Sequence, residues 1–273
     1  MKYECQGMAA DAFDLSILPP FARTEMEARL EFDILPQPDD STCGPTCLHA
    51  IYRYFGDEIP LSQVIREVPS LCSGGTLGVM LGSHALARGY KASLYTYNLM
   101  VFDPTWFMPG VNLLERLQKR QQVAFHAKQK LAIHNYMKFI EQGGKIHYED
   151  LSRGLLRRFL KSGLPILTGL SSTYLYRSMR VTDNEQDDDI RGEVQGHFVV
   201  LSGYDQAAHT VHVADPYSQN PMTGTNLYVT DMDRLIGAIL LGVITYDANL
   251  LVIEPPARKR TSANGPLGLQ GLS

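Results

Sequence analysis

A cysteine follows a glutamine by six residues in the segment Gln37-Pro-Asp-Asp-Ser-Thr-Cys43-Gly-Pro-Thr-Cys47-Leu48. Just beyond it, Leu48, Ile51, Tyr52 and Phe55 recur at helical spacing, and Gly56 supplies a stop. Cys43 is therefore expected in the first turn of a helix. Pro45 is tolerated there because the N–H it lacks would have no helical partner. The unpaired N–H groups and positive dipole end of a helix N-terminus favour a thiolate, the nucleophilic form of cysteine. The amide of Gln37 has the chemistry of an oxyanion donor. A cysteine so placed is a candidate nucleophile if a histidine and an orienting acid or amide reach it from elsewhere in the fold.

The chain supplies both far downstream. His197 opens the apolar run Gly196-His-Phe-Val-Val-Leu-Ser-Gly-Tyr204, and Asp215 closes Thr210-Val-His-Val-Ala-Asp-Pro216. The two runs predict a hairpin turning between Asp205 and His209. Pairing 197 opposite 215 centres that hairpin on residue 206 and leaves His197 and Asp215 at one end of the ribbon. Asp215 would hold the imidazole tautomer while the other ring nitrogen faces Cys43.

Other elements must position these residues. The pattern predicts a short helix over Glu25–Leu30, a helix over Pro60–Val68 capped by Ser62, and another over Leu77–Ala87 launched by Gly74-Gly75-Thr76. A strand is expected at Lys91–Tyr97. Residues 98–150 read as a helical insertion, with Leu113, Leu114 and Leu117 on one face and a second helix over Leu131–Ile140. Leu151–Leu160 is amphipathic, with Arg153, Arg157, Arg158 and Lys161 outward, and Pro165–Leu170 is a buried strand. Residues 177–195, containing Asp187-Asp188-Asp189, read as a solvated acidic loop. A helix over Asp231–Leu240 and strands at Leu241–Tyr246 and Asn249–Ile253 complete the set. Helices carry the cysteine first, and strands carry the histidine and aspartate last. That order predicts an α+β fold, with an N-terminal helical lobe packed on a C-terminal antiparallel sheet and a cleft between them. Residues 1–31 read as an N-terminal arm, 32–254 as one domain, and 255–273 as a disordered tail.

Gln37…Cys43-Gly-Pro-Thr-Cys-Leu, Gly196-His197-Phe-Val-Val-Leu and Val213-Ala-Asp215-Pro216 resemble the C39-like cysteine peptidases of the papain-like superfamily. Gly75-Thr76-Leu77 with the helix ending at Gly89-Tyr90, and Leu156–Leu170 with its Gly-Leu-Pro-Ile-Leu, are similar to that family as well. The resemblance runs in order from about Leu35 to Ile253. It implies a papain-like fold and a thiol peptidase working through an acyl-enzyme. Cys43 would be the nucleophile, His197 the base, Asp215 the orienting acid and Gln37 the oxyanion donor. Papain-like folds also host transpeptidases and amidases acting on small peptides. An inactive peptide-binding module is a third reading.

Composition bounds the rest. The chain has 273 residues, 44% hydrophobic and 20% charged, with a net charge of −4. That is ordinary for a globular protein and gives no basic excess for nucleic acid or an anionic membrane. No apolar run approaches the roughly 20 residues that cross a bilayer, and the first residues lack the basic-then-apolar pattern of a signal peptide. Four cysteines, Cys5, Cys43, Cys47 and Cys72, are too sparse for a disulfide framework. The expectation is a cytoplasmic enzyme with a peptide or small amide substrate and with no cofactor, metal, nucleic-acid or membrane partner. Its oligomeric state is left open. Cys47 reads as packing, with a redox partnership to Cys43 as the alternative. Asp39 and Asp40 read as caps of the Cys43 helix, with contact to a substrate amine as the alternative. His49, His84, His126, His134, His147, His209 and His212 read as surface or satisfied core positions. Trp106, Tyr95, Tyr97, Tyr174 and Tyr176 are cleft candidates, otherwise core.

Overall fold

A computed structural model describes residues 27–71 and 74–256. Cys5, Cys72, most of the arm and most of the tail lie outside those residues.

Strand β1 (Glu27–Arg29) leads to α1 (Cys43–Tyr54), α2 (Leu61–Glu67), α3 (Gly78–Ala87) and β2 (Lys91–Thr96). A 3₁₀ turn (Pro104–Phe107), α4 (Leu113–Val123), α5 (Ala127–Glu141) and β3 (Lys145–His147) follow. Next come α6 (Arg153–Lys161), β4 (Ile166–Ser171) and the short α7 (Ser172–Tyr176). The chain closes with β5 (Gly196–Asp205), β6 (Thr210–Ala214), β7 (Leu227–Asp231), α8 (Met232–Leu241), a 3₁₀ turn (Gly242–Thr245) and β8 (Asn249–Glu254). Helices stop where the sequence indicates. Gly89 after α3 and Gly163 after α6 take φ of 86° and 73°, the left-handed region that ends a helix at little steric cost.

Eight strands form one sheet, seven in the order β3-β2-β8-β4-β5-β6-β7 and β1 paired to β5 off that path, antiparallel except for β2 with β3. β5 is long enough to take two neighbours on one edge. Gly196–Leu201 pairs with β4, Gly203–Asp205 pairs with β1, and the Leu30 N–H donates to the Ser202 carbonyl between them at 2.8 Å.

The strand period of two sorts β5 between two cores. Phe198 and Val200 join the core beneath α1, α3 and α5, with Leu48, Ile51, Leu81 and Phe139. Val199 and Leu201 join the other, with Leu156 and Leu160 of α6 and Leu235 and Ile239 of α8. Both sheet faces are covered, which is why Phe198–Leu201 reads as an unbroken apolar run. The expected helical lobe on an antiparallel sheet is present, and a second helical layer backs the sheet. Fully burying each such leucine contributes roughly 1.5–3 kcal/mol.

Residues 98–150 are built into the first core. Leu117, Ile133, Tyr136 and Phe139 are all fully buried. Phe139 fits a slot between two glycines, since a Cβ on Gly82 or Gly144 would lie 2.7 or 2.5 Å from its ring.

Several local expectations are corrected. Glu27–Arg29 is a strand, where a short helix over Glu25–Leu30 is predicted; hydrogen bonding to β5 outweighs a weak local helix pattern. Pro60 precedes α2, and no side chain, Ser62 included, caps it. Leu241–Tyr246 is the end of α8 plus a 3₁₀ turn. It cannot continue as a strand because Tyr246 sits at φ 72°, and Gly242 packs so tightly that a Cβ would lie 3.2 Å from Leu170 Cα. Residues 177–195 are tied back on themselves, Val181 bridging to Asp187 and Glu193.

Candidate active site

Cys43 is the first residue of α1, where the first-turn N–H groups lack helical partners. Thr42 is the N-cap residue, though its side chain makes no cap bond. Asp39 instead pins the approach: its Oδ1 accepts from the Ser41 N–H at 2.9 Å and the Ser41 hydroxyl at 2.7 Å. Asp39 thus shapes the loop before the helix and does not cap the helix itself.

His197 is the second residue of β5, opposite Leu170 of β4. The β5–β6 hairpin pairs Val200 with Ala214 and Leu201 with Val213, then shifts register at a bulge before Gly203 pairs with His212. The register that sets 197 opposite 215 is therefore corrected: the turn at residues 206–209 centres the hairpin between Ala207 and Ala208, and the bulge returns only one residue, so the register carries 215 toward 199. The two side chains still meet as diagonal neighbours. His197 Nε2 lies 2.8 Å from Asp215 Oδ1. Its other ring nitrogen remains for Cys43, whose nearness helps the imidazole hold its proton.

Asp215 is wholly buried just past the end of β6. A bare carboxylate there would be costly, so its oxygens are filled. Oδ1 also accepts from the Tyr217 N–H at 2.9 Å. Oδ2 accepts from the Tyr176 hydroxyl at 2.6 Å and the Tyr228 hydroxyl at 2.9 Å. The backbone is held too: the Asp215 N–H donates to the Asn226 carbonyl, and the Asn226 side chain donates to the Asp215 carbonyl. Burial pushes the carboxyl up, but His197, Tyr176 and the Tyr217 N–H together hold it below the ordinary carboxylate range. Burial likewise disfavours a charged His197. The charge and hydrogen bond of Asp215, with Cys43, outweigh it and lift the imidazole to about 10.

Gln37 is tied to the same corner, its N–H donating to the Pro216 carbonyl at 2.9 Å. Its side-chain Nε2 donates to the Asp39 carbonyl at 3.0 Å, while Oε1 is buried without a hydrogen-bond partner among the described residues. The structure therefore brings Cys43, His197 and Asp215 together and holds Gln37 to the loop after Asp215.

Cys47, one turn along α1, is completely buried, and its thiol donates to the Phe198 carbonyl at 3.2 Å. Burial, with Cys43 and Asp215 nearby, raises its proton affinity far above the ordinary thiol range, which makes it a packing residue and a poor redox partner. His84 is a satisfied core residue between the Tyr52 hydroxyl and Glu67. Sequence reasoning leaves two groups unseen. Tyr176 is a cleft candidate without a partner, and Tyr228 goes unnoticed with all of β7. The run of β-formers Tyr228-Val-Thr230 is the signal that marks that strand, whose Tyr228 and Thr230 turn inward.

No helix among the described residues is long and apolar enough to cross a membrane. A family model described as the Peptidase_C39 like family matches residues 29–229. No curated protein matches the chain. Among solved structures, it is similar to a C39-like peptidase from Bacillus anthracis, 13% identical over 84% of this chain and 98% of that one, TM-score 0.47. It is similar to a double glycine motif protease from an AMS/PCAT transporter, solved in complex with the leader peptide, at 14% identity over 84% and 94%, TM-score 0.41. It is also similar to xylellain, a cysteine protease from Xylella fastidiosa, at 15% identity over 92% and 95%, TM-score 0.38.

Proposed function

Because the chain belongs to the Peptidase_C39 like family, we propose that it is a cysteine peptidase cleaving a peptide or small amide through Cys43, His197, Asp215 and Gln37. The observation that carries this reading is the convergence of a helix-start cysteine on an imidazole that a buried carboxylate holds at 2.8 Å. A core needs no such costly arrangement, whereas a thiol nucleophile does.

The proton of Cys43 passes to His197, and the sulfur attacks the amide carbonyl carbon. The C–S bond forms as the carbonyl electrons move onto oxygen. First-turn N–H groups of α1 and the Gln37 amide stabilise that oxyanion. Gln37 Nε2 is held by the Asp39 carbonyl, so turning the amide toward the oxyanion requires release of that bond. The C–N bond then breaks, His197 returns its proton to the leaving amine, and a thioester remains. Water, deprotonated by His197, attacks the thioester, releases the acid and restores Cys43. Asp215 keeps the imidazole oriented and offsets its charge throughout. A reducing compartment such as the cytoplasm suits an enzyme that works through a free thiol.

The test is hydrolysis of an unbiased peptide mixture, with new amino termini read by mass spectrometry. Wild type is expected to cut at a consistent sequence, Cys43→Ala to cut nothing while melting as wild type does, and His197→Ala to cut nothing with a lowered Tm, because it strips the buried Asp215 of its partner. Gln37→Ala should slow turnover roughly 100- to 1,000-fold, the usual cost of removing one oxyanion donor. Cutting by Cys43→Ala at the wild-type rate would sink the reading, and unchanged turnover in Gln37→Ala would remove that residue from it.

A further inference from the structure

We infer that Tyr176 and Tyr228 are positioning residues of the active site, setting through Asp215 how strongly His197 holds its proton. The inference rests on the peptidase reading and deepens it.

Asp215 uses one oxygen for His197 and gives the other entirely to two phenols, at 2.6 and 2.9 Å. Packing alone would be served by phenylalanine at both positions, since each ring is largely buried; the hydroxyls are what meet the carboxylate. Burial and the neighbouring charge of Asp215 raise the proton affinity of both phenols, so both remain donors throughout the working pH range. Donors on Oδ2 draw negative charge from Oδ1. The imidazole thus meets a carboxylate that is moderated as well as immobilised.

The two phenols come from opposite directions. Tyr228 lies on β7, opposite Val213 of β6. Tyr176 is the last residue of α7, immediately before Arg177 in a left-handed conformation, where the 177–195 loop departs. That loop returns to the same turn: the Ser172 N–H donates to the Gln195 carbonyl at 3.0 Å, and the Gln195 N–H donates to the Thr173 hydroxyl at 2.9 Å. Arg234 of α8 donates to the Leu175 carbonyl at 3.1 Å. The position of the Tyr176 hydroxyl is therefore fixed by both ends of the loop and by α8. The groups facing the Cys43–His197 pair or its carboxylate are Asp215, Cys47, Tyr176, Tyr217 and Tyr228. The Tyr176 and Tyr228 hydroxyls are removable without losing a backbone contact or a reacting atom.

The experiment measures the alkylation rate of Cys43 by iodoacetamide against pH, by peptide mapping, in wild type, His197→Ala, Tyr176→Phe and Tyr228→Phe. This readout needs no substrate. In wild type, Cys43 should react fast on the acid side of neutrality, and His197→Ala should lose that advantage; without that contrast the peptidase reading fails and this inference with it. Given the contrast, loss of the Tyr176 hydroxyl returns charge to Oδ1 and strengthens the imidazolium. The midpoint of Cys43 reactivity should move down by about half a pH unit. Turnover, once a substrate is in hand, should fall several-fold in kcat with KM unchanged. Tyr228→Phe leaves α7 untouched and reads the same shift should Tyr176→Phe fail to fold. A folded variant whose midpoint stays at the wild-type value overturns the positioning role and leaves the peptidase reading standing.

Discussion

Asp247 is a buried acid outside the reaction, and its removal should change how stability depends on pH. It sits between the turn after α8 and β8, against Gly169 of β4, where a Cβ would lie 2.6 Å from Asp247 Cβ. Its Oδ1 is buried without a hydrogen-bond partner among the described residues. Burial raises its proton affinity, only partly countered by Lys128 and Thr245, from an ordinary 3.8 to about 7. The folded protein therefore holds a proton between about pH 4 and pH 7 that the unfolded chain releases, so stability falls as pH rises through that window. A displacement of about three units corresponds to about 4 kcal/mol, fully expressed only above about pH 7. Asp247→Asn keeps the shape and removes the titration. In urea unfolding at several pH values, the variant should gain on wild type steadily from about pH 4 to pH 8, by up to about 4 kcal/mol. All other titrating groups are shared and cancel in the difference. A stability gap that stays constant across this range would refute the reasoning, because it would mean that Asp247 titrates alike folded and unfolded.

Two other substitutions test packing near the site. Gly169→Ala would force a Cβ to within 2.7 Å of the Asp247 carbonyl as well; calorimetry should show a loss of about 1–3 kcal/mol, and an unchanged Tm would mean that the turn yields freely. Cys47→Ala should leave peptide turnover unchanged in reducing and oxidising buffer alike, at a stability cost of about 1 kcal/mol for the lost thiol contact; turnover that becomes insensitive to oxidant only in the variant would restore a redox role to Cys47.

Which features were legible follows from the reach of their causes. Cys43 at a helix start is a local matter: the Pro45 position, the spacing from Leu48 to Phe55 and the Gly56 stop all lie within one short segment. His197 and Asp215 are legible because each sits at the end of an apolar run, and a hairpin brings run ends together. The hairpin register was not legible, because the turn is centred between Ala207 and Ala208, later than residue 206, and no apolar pattern marks either that centre or the bulge near Ser202. The 3₁₀ turn at Gly242–Thr245 is apolar enough to read as a strand, and the left-handed Tyr246 and the close approach of Gly242 to Leu170 forbid one. The phenols on Asp215 were hidden for the same reason. Tyr176 and Tyr228 lie far from each other in the chain and reach one oxygen only through the completed sheet.

The double use of one edge of β5, by β4 and β1, bears on how the protein is made. Synthesis runs from the N-terminus, and domains gain structure as their parts emerge. Cys43 leaves the ribosome early, but β1 and the loop that carries Gln37 are bonded to β5 and to Pro216, which emerge much later. Until then the nucleophile has neither its base nor the strand that seats its loop. A nascent or prematurely ended chain is thus inert as a thiol peptidase, and the activity proposed here is switched on only when the late strands close over the early ones.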